Sequence, residues 1–280
     1  MQASRSRHSA EVRAQQRRWA AECGQTLDAA GYCVTHNENL FIPLRGNTLD
    51  DFTYGDGGEV GRVGRRGKLQ AVHSSSALAC NVFDYWRGQD AGPLARALRL
   101  GSDIAEIKFE QKFPTGVSPR SPNLDVVLSL ADGSLTAVES KFLEPYGASA
   151  KRRTIQEKYF NGDAKRWQAA GLVGAQRVAE AVRDGKVSFE YLDAPQLLKH
   201  MLGLGKQSKA WQLLYLWFDP KSDTEKEHQT EIARFTELLR EDAPRFRSAS
   251  YSEMFARMQT EIGEGHQEYV SYLKGRYFGE

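Results

Sequence analysis

Three charged side chains interrupt two apolar stretches near the middle of the chain. Asp125 lies near the start of the stretch 124–130, and Glu139 and Lys141 lie near the end of the stretch 135–142. Two neighbouring carboxylates repel each other unless a cation lies between them, and Mg²⁺ binds through one or two carboxylates while keeping several waters. A lysine beside such an ion can orient a water or stabilise charge that develops on a phosphoryl group. These residue types point to metal-assisted hydrolysis of a phosphodiester, if the fold brings them together.

The two apolar stretches are predicted to be the strands of a β-hairpin. The residues between them, 131–134, read Ala-Asp-Gly-Ser, which is a turn signal. Both stretches are apolar on both faces away from their ends, as is typical of a sheet covered on both sides. Side chains two apart in a strand share a face, so Glu139 and Lys141 point one way and Ser140 points the other way.

The length of the turn decides on which face Asp125 lies. A two-residue loop sets Asp125 opposite Ser140, which separates the two carboxylates. A three-residue loop, 131–133, places Gly133 at the left-handed position that its bulge requires and sets Asp125 opposite Glu139. Opposed side chains have Cβ atoms roughly 5 Å apart, so in this second register the two carboxylates can share one ion. The predicted site therefore depends on a three-residue turn.

The motifs around these residues resemble a known group of enzymes. Residues 122–125 read Pro-Asn-Leu-Asp and residues 138–141 read Val-Glu-Ser-Lys, and together they resemble the PD-(D/E)XK nuclease superfamily. The surrounding sequence is similar to a family of bacterial restriction endonucleases at His73-Ser74-Ser75, Asn81 and 139–146. The resemblance covers residues 73–218, about half of the chain.

The resemblance implies a metal site and a reaction. Asp125 and Glu139 would be metal ligands, the backbone carbonyl of Ser140 would be a third ligand, and Lys141 would be the catalytic lysine. The cofactor would be Mg²⁺, for which Mn²⁺ would substitute. The substrate would be DNA, with RNA left open, and a homodimer would supply the two active sites that cutting both strands calls for.

The sequence departs from the usual pattern of the superfamily at two points. Its proline precedes the aspartate by three residues instead of one. Many relatives carry a glutamate on the first core helix, whereas residues 74–87 offer only Asp84. The strand predicted over 104–113 has a wet face with Glu106 and Glu110, and Glu110, nearer to the next strand, is expected to supply the further metal ligand. The alternative for both glutamates is a solvent-facing strand edge.

A helix that starts after Asp193 carries two further candidate catalytic residues. Gln196-Leu-Leu-Lys-His200 resembles the Gln-x-x-x-Tyr helix motif of some relatives, with His in place of Tyr. Residues four apart share a helix face, so both side chains could reach the substrate phosphate or order a metal-bound water. A polar edge on a packed helix is the alternative.

Candidate contacts to nucleic acid flank the hairpin. Lys151, Arg152 and Arg153 follow its second strand and could make salt-sensitive phosphate contacts. His73 and Tyr146 could also reach the substrate. The alternatives are a solvated charged loop for the basic run, a helix cap for His73 and a core or rim aromatic for Tyr146.

The order of predicted elements indicates a mixed α/β fold with one central sheet. It agrees with the restriction-endonuclease-like αβββαβ core that the resemblance implies, a central mixed sheet flanked by helices, with N- and C-terminal additions. Those elements are predicted at 74–87, 104–113, 124–130, 135–142, 193–204 and 211–218. We divide the chain into an N-terminal extension (1–70), a nuclease core (71–220) and a C-terminal helical extension of the same domain (221–280).

The N-terminal extension gives weaker signals. Residues 10–21 are expected to form a solvated surface helix, and residues 45–68, rich in Gly and Arg, are predicted to be loop. The run from Gly61 to Gly67 is not a phosphate-binding loop. Five residues separate these glycines where the motif has four, and Leu69 stands where Ser or Thr would bind magnesium. Its arginines could contact a phosphate backbone or belong to a plain surface loop.

The composition of the chain limits its expected binding partners and cellular compartment. The formal net charge of its 280 residues is +2, so a nucleic-acid binder of this kind must concentrate its positive charge locally. Three cysteines, without a CxxC pair, argue against a disulfide framework and indicate a reducing, cytoplasmic setting. The chain has neither an apolar run of about 18 residues nor an apolar stretch at its N-terminus, so no membrane span or secretory signal is expected.

Three hypotheses about function follow. The first is a Mg²⁺-dependent endonuclease that acts on DNA, with a role in restriction or defence. The second is a catalytically inactive nucleic-acid-binding module of the same fold. The third is an unrelated metal hydrolase or interaction protein, in which the hairpin carries an ordinary Glu–Lys pair. It requires the carboxylates of Asp125 and Glu139 to point to opposite faces of the sheet.

Overall fold

The computed structural model of the chain describes residues 2–44, 46–55, 58–62, 64–117, 121–147, 154–207, 209–219 and 223–279. Its α-helices are α1 (Gln2–Glu22), α2 (Asn47–Tyr54), α3 (Ser75–Phe83), α4 (Gly92–Ala97), α5 (Arg166–Ala169), α6 (Val173–Arg183), α7 (Ala194–Leu204), α8 (Asp223–Leu239), α9 (Tyr251–Glu261) and α10 (Gln267–Leu273). Its strands are β1 (Gly61–Arg62), β2 (Arg65–Arg66), β3 (Ile104–Lys112), β4 (Asn123–Leu130), β5 (Leu135–Lys141), β6 (Trp211–Trp217) and β7 (Phe246–Ser250).

A five-stranded sheet in the order β3-β4-β5-β6-β7 forms the middle of the molecule. The pairs β3–β4 and β4–β5 are antiparallel, whereas β5–β6 and β6–β7 are parallel. The predicted order of one helix, three antiparallel strands, a helix and a fourth strand is confirmed as α3, β3, β4, β5, α7 and β6. The mixed α/β class is confirmed as well, and β7 adds a fifth strand from the C-terminal part of the chain.

Apolar cores cover the sheet on both faces, as its strands predict. On one face α3, α4, α9 and α10 pack against Val126 and Val138. On the other face α5 to α8 pack against Val127 and Ala137. Because alternate residues of a strand share a face, Glu139 points with Ala137 toward α7, and Ser140 points toward the opposite core.

Helix α7 is placed by its own first turn. The Asp193 carboxylate accepts a hydrogen bond from the Gln196 amide at 3.1 Å, which caps the helix. Leu197, Leu198 and Met201 are buried on its inner face. His200 is buried among them, and the helix thereby carries this polar side chain to the sheet.

Helix α1 is not the solvated surface helix that we expected. Val12, Gln16 and Trp19 are buried, and the Gln16 amide donates to the carbonyl oxygen of Arg276 at 2.7 Å. The indole of Trp19 packs edge-on against Tyr272 at 5.5 Å. The expectation failed because only a few apolar residues mark the buried face of α1, and that face packs against the C-terminal segment, which is distant in sequence.

The prediction of loop over 45–68 was also wrong in part. Helix α2 and the short β1–β2 hairpin lie within it. Phe52 on α2 stacks on Phe109 with 5.1 Å between ring centroids, and the Asp51 carboxylate accepts from the Phe109 amide at 3.0 Å. Helix α2 thus covers the free edge of β3, a long-range contact that the local composition does not reveal.

Among the described residues, no helix is both long and apolar enough to cross a bilayer.

Candidate active site

The turn between β4 and β5 has the three-residue form on which the predicted site depends. The Leu130 amide donates to the Ser134 carbonyl at 2.9 Å, and Gly133 has a φ of 84°, which favours glycine. Val126 pairs with Val138. Continuing this register by one pair sets Asp125 opposite Glu139, on the face that Glu139 shares with Lys141. The hypothesis of an unrelated metal hydrolase or interaction protein required these two carboxylates to point to opposite faces of the sheet, so the register disfavours it.

Glu139 lies at the centre of a buried polar cluster. It is 1% exposed, and the Lys141 ammonium contacts its Oε1 atom. Nε2 of His200, on α7, lies 2.9 Å from Oε2. Both side chains are buried, and the proximity of His200 helps to lower the pKa of Glu139. Strand β5 and helix α7 therefore converge on one carboxylate.

Asp125 bridges the two strands where their ladder ends. Its Oδ2 atom accepts a hydrogen bond from the Ser140 amide at 2.7 Å. The Lys141 carbonyl, one residue later, accepts from the Phe218 amide at 2.8 Å and so points away from β4. Because successive residues of a strand direct their peptide groups to opposite sides, Ser140 presents its carbonyl oxygen toward β4 and Asp125. That is the oxygen the resemblance implies as a third ligand.

Glu110 leaves the wet face on which the alternation of β3 placed it. Its φ is 51°, which is uncommon for a residue other than glycine, and its side chain is buried with 8% exposed. A Cβ atom on Gly55 would lie 3.1 Å from that of Glu110, so the glycine leaves room for the carboxylate. Glu106 stays on the solvent-facing surface of the strand. The inward turn comes from tertiary packing, which the strand pattern does not show.

Two side chains beside Glu110 were missed by sequence reasoning. Asn123 donates to its Oε2 atom at 2.9 Å, and buried Glu59 raises its pKa. Asn123 could have been found, because it precedes Asp125 by two residues and so shares its face. Glu59 has no local signal. It lies in the Gly- and Arg-rich segment, and its Oε1 atom pairs with Lys68 at 2.8 Å.

The charges of this cluster follow from burial and from their neighbours. Burial, reinforced by Glu139, raises the pKa of Asp125 well above its usual range. Burial, then the charge of Glu59, raises the pKa of Glu110 to about 7. Burial acts in the same direction on Glu139, but Lys141 and His200 outweigh it and hold the Glu139 pKa below its usual range. The acids therefore outnumber the cations that could balance them.

Burial lowers the pKa of Lys141, but the carboxylates of Glu139 and Asp125 outweigh it and raise that pKa. The side chain is consequently a fixed ammonium at neutral pH. It can donate hydrogen bonds and stabilise negative charge, and it is a poor proton acceptor.

The donor set fits a small divalent cation. Within the described residues, no three side chains of His, Cys, Asp or Glu converge as a complete metal site, but Mg²⁺ needs only one or two carboxylates beside waters and carbonyl oxygens. Oε2 of Glu139 is buried and faces His200 at 2.9 Å, so it has a further lone pair that a cation could satisfy. Asp125, Glu139 and the Ser140 carbonyl would hold the ion, with Glu110 beside them.

Two other candidates do not join the cluster. Gln196 is half-buried one turn before His200, and its side chain makes no hydrogen bond to the residues that the structure describes. His73 is half-buried before α3, between the arginines of α1 and Tyr32, whose ring it meets edge-on at 6.1 Å. Burial, then Arg13 and Arg17, lowers the pKa of His73 to about 4.

Tyr146 cannot contact nucleic acid, and that prediction is corrected. Its side chain is fully buried, and its hydroxyl lies 3.1 Å from the Phe218 carbonyl, to which it donates, and 3.1 Å from Nδ1 of His228. The alternative of a core aromatic holds instead. Lys151, Arg152 and Arg153 lie outside the described residues.

Comparison with known proteins assigns the chain to a family. The family whose sequence model matches residues 19–278 is described as Restriction Endonuclease associating with ARP. No curated protein and no solved structure matches the chain. The matched region holds the whole candidate site, including Glu59, and it extends well beyond residues 73–218, which carry the sequence resemblance.

Proposed function

The chain belongs to the family described as Restriction Endonuclease associating with ARP, and on that premise we propose that it is a divalent-metal-dependent endonuclease that hydrolyses phosphodiester bonds in DNA, in restriction or defence. The observation that carries the proposal is the convergence of Asp125, Glu139 and Lys141 on one face of the β4–β5 hairpin. The family description also names an association with ARP, and we propose that this chain takes part in such an association.

The cation site is proposed at Asp125, Glu139 and the Ser140 carbonyl. Mg²⁺ bound there, or Mn²⁺ in its place, would supply Lewis-acid activation of the phosphodiester and of water. Asp125 would contribute a carboxylate oxygen from β4. It also accepts a hydrogen bond from the Ser140 amide, so this carboxylate and the Ser140 peptide on β5 are held next to each other. Glu110 widens the acidic cluster, and Asn123 fixes the direction of its carboxylate.

Lys141 acts on the phosphate as a cation. Its raised pKa keeps it protonated, so it donates hydrogen bonds to the phosphoryl oxygens and the attacking water and balances the charge that develops on phosphorus. His200 acts through Glu139, whose carboxylate it faces at 2.9 Å. We assign it the role of a positioning residue, since partners behind a ligand fix that ligand's orientation. Gln196 remains a candidate that could reach the substrate from the same helix.

An inactive nucleic-acid-binding module is the second candidate function. It would need the charged cluster to persist without catalytic use. The buried, mutually repelling carboxylates of Asp125 and Glu110 disfavour it, because they cost stability that a plain binding surface has no reason to bear.

Supercoiled plasmid is the direct test. We expect the purified protein to convert it to nicked or linear DNA with Mg²⁺ or Mn²⁺ and to leave it intact with EDTA. Linear product would indicate coordinated cutting of both strands, for which a homodimer supplies two sites. Asp125→Ala and Lys141→Ala should abolish cleavage while binding to DNA in EDTA persists. Cleavage in EDTA, or equal cleavage by either variant, would contradict the proposed site. Binding without cleavage in either metal would favour the inactive module.

A further inference from the structure

A cavity of about 430 Å³ opens beside the candidate active site, between helix α1, the first residues of α3 and the segment that follows β5. Arg13 and Lys68 supply its cationic side chains, and Ser75 and His73 supply neutral polar groups. Glu144 supplies one carboxylate, which already accepts a hydrogen bond from the Phe142 amide at 2.8 Å. The cavity is therefore lined by polar and charged groups, with Arg13 as a cation that has no direct ion-pair partner among the described residues.

Two connections tie this cavity to the acidic cluster. Lys68 lines it and pairs with Glu59 at 2.8 Å, and Glu59 is the residue that raises the pKa of Glu110. On the other side, Glu144 follows Lys141 by three residues along the chain and interacts electrostatically with both Lys141 and Arg13. Leu143 and Glu144, which line the cavity, directly follow the end of β5 that carries Lys141.

The positive charge of Arg13 is available to a ligand, whereas Lys68 shares its charge with Glu59. Among the described residues, Arg13 makes no ion pair. The hydrogen bonds of Arg17 go to the carbonyl oxygens of Asp28 and Ala29, at 3.4 and 2.7 Å, so its charge too is not neutralised by a direct partner. Both arginines act on His73, in addition to its burial, to lower its pKa to about 4. The neutral imidazole next to two guanidinium groups marks a region of positive potential.

The polar groups around this charge match the oxygens of a phosphate. A guanidinium donates to phosphate oxygens in a fork geometry, and the hydroxyl of Ser75 is a further donor. Ser75 also begins α3, where the Ser74 hydroxyl already accepts from the Ala77 amide at 3.3 Å, so the amides of Ser75 and Ser76 are the ones without a partner inside the helix. A nucleic-acid strand carries one phosphate about every 3.4 Å along the duplex axis, so a strand cut at Lys141 must place neighbouring phosphates close by.

We propose that this cavity binds a backbone phosphate of the substrate strand, adjacent to the phosphodiester that is cut, and that helix α1 is therefore part of the substrate-binding surface. The inference rests on the proposed function, because it takes a nucleic acid as the ligand. It assigns a substrate contact to Arg13 and Lys68, in the N-terminal extension, outside the region that resembles the nuclease superfamily.

The test measures duplex DNA binding in EDTA by fluorescence anisotropy over a series of salt concentrations. Arg13→Gln and Lys68→Gln are compared with wild type and with Arg18→Gln. Arg18 lies on the same helix and is exposed, but it lines a different cavity, beside Phe278. Each phosphate contact contributes about one to the slope of log K against log salt. We expect Arg13→Gln to lower that slope by about one and to weaken binding several-fold, Lys68→Gln to lower it by less because Lys68 is shared with Glu59, and Arg18→Gln to bind as wild type does.

A cleavage assay with Mg²⁺ gives the second readout. Loss of a phosphate contact away from the cut bond should raise KM and leave kcat close to that of wild type. Unchanged slopes for both cavity variants, or equal losses for Arg18→Gln, would overturn the inference, as would a wild-type protein that binds no DNA. A wild type that binds DNA with the expected slopes but never cuts it would contradict the proposed function and leave the cavity assignment standing.

Discussion

At the scale of single residues, the candidate site contains four acids held near one another. The strand pattern identified Asp125 and Glu139 because both interrupt apolar runs, and the turn chemistry of Gly133 gave their register, which the structure confirms. The same reasoning placed Glu110 on a wet face. A positive φ turns it inward, and no pattern in β3 encodes that. Glu59 joins the group only through the tertiary fold.

Glu110 makes the metal-free protein sensitive to pH. Its pKa rises from the ordinary 4.5 to about 7 on folding, through burial and the charge of Glu59. The neutral form is therefore favoured in the folded state, so the contribution of Glu110 to stability is fully present below pH 4.5 and is lost as the pH rises through about 7. This loss is on the order of 3 kcal/mol. In EDTA, Glu110→Gln should be more stable than wild type at pH 8 and equal to it at pH 4.

Urea denaturation at the two pH values measures this difference. Glu106→Gln, on the exposed face of the same strand, is the matched control and should follow wild type at both. A Glu110→Gln variant that is less stable than wild type at pH 8 would show that the ionised carboxylate is stabilised in the metal-free fold, contrary to our assignment.

His200 should affect metal affinity more than it affects the maximal rate. Its ring stands 2.9 Å from the Glu139 carboxylate on the side away from Lys141, so His200→Ala frees that ligand to move. The Mg²⁺ concentration for half-maximal cleavage should rise by about 10-fold or more. Gln196→Ala, one turn earlier on α7, should cause a smaller rise. Equal metal dependence of His200→Ala and wild type would remove the positioning role.

At the scale of elements, the β4–β5 hairpin and helix α7 do most of the positioning, and both were predictable. Turn residues, strand apolarity and the Asp193 cap are local signals, and local signals are what a single sequence carries. Helices α1 and α2 were missed or misplaced for the opposite reason. Each packs against a partner far away in sequence, α1 against the C-terminal segment and α2 against β3.

The hairpin turn can be tested through Gly133. Its φ of 84° is unfavourable for any residue with a Cβ atom, although a Cβ atom there would meet nothing within 4 Å. Gly133→Ala should therefore destabilise the protein by about 1 kcal/mol through backbone conformation alone. Thermal or urea unfolding measures this. Gly101→Ala, also in open space but without a positive φ, should be close to neutral. A neutral Gly133→Ala would argue against the three-residue turn.

At the scale of the whole molecule, the two ends of the chain are joined through one buried cation. Arg276 is fully buried. Its guanidinium bonds to Gln16 on α1, to Asn39 and to the Tyr272 hydroxyl, and it lies over the Trp19 ring at 4.3 Å. The N-terminal extension is thus held in place by the C-terminal one.

Our division of the chain at 70 and 220 stays an interpretation, although β7, beyond residue 220, belongs to the central sheet.

Loss of the Arg276 contacts should weaken the fold as a whole. Arg276→Ala removes the partner of several buried polar groups and leaves a cavity, so a loss of about 3 kcal/mol or more is expected. The exposed neighbour Lys274 provides the control, since Lys274→Ala should change stability little. Because α1 carries Arg13, partial unfolding in Arg276→Ala should also weaken DNA binding. A stability of Arg276→Ala equal to that of Lys274→Ala would contradict this role.

The measurement that tests the central claim most directly is plasmid cleavage by two matched pairs of variants. Glu106 and Lys108 form an exposed Glu–Lys pair on β3, two residues apart and 3.0 Å from each other, with the same chemistry and spacing as Glu139 and Lys141. With Mg²⁺ present, Glu139→Gln and Lys141→Gln should each lose cleavage by at least 100-fold, whereas Glu106→Gln and Lys108→Gln should cut at the wild-type rate. Equal rates in the two pairs would show that the convergence on the β4–β5 hairpin is not an active site.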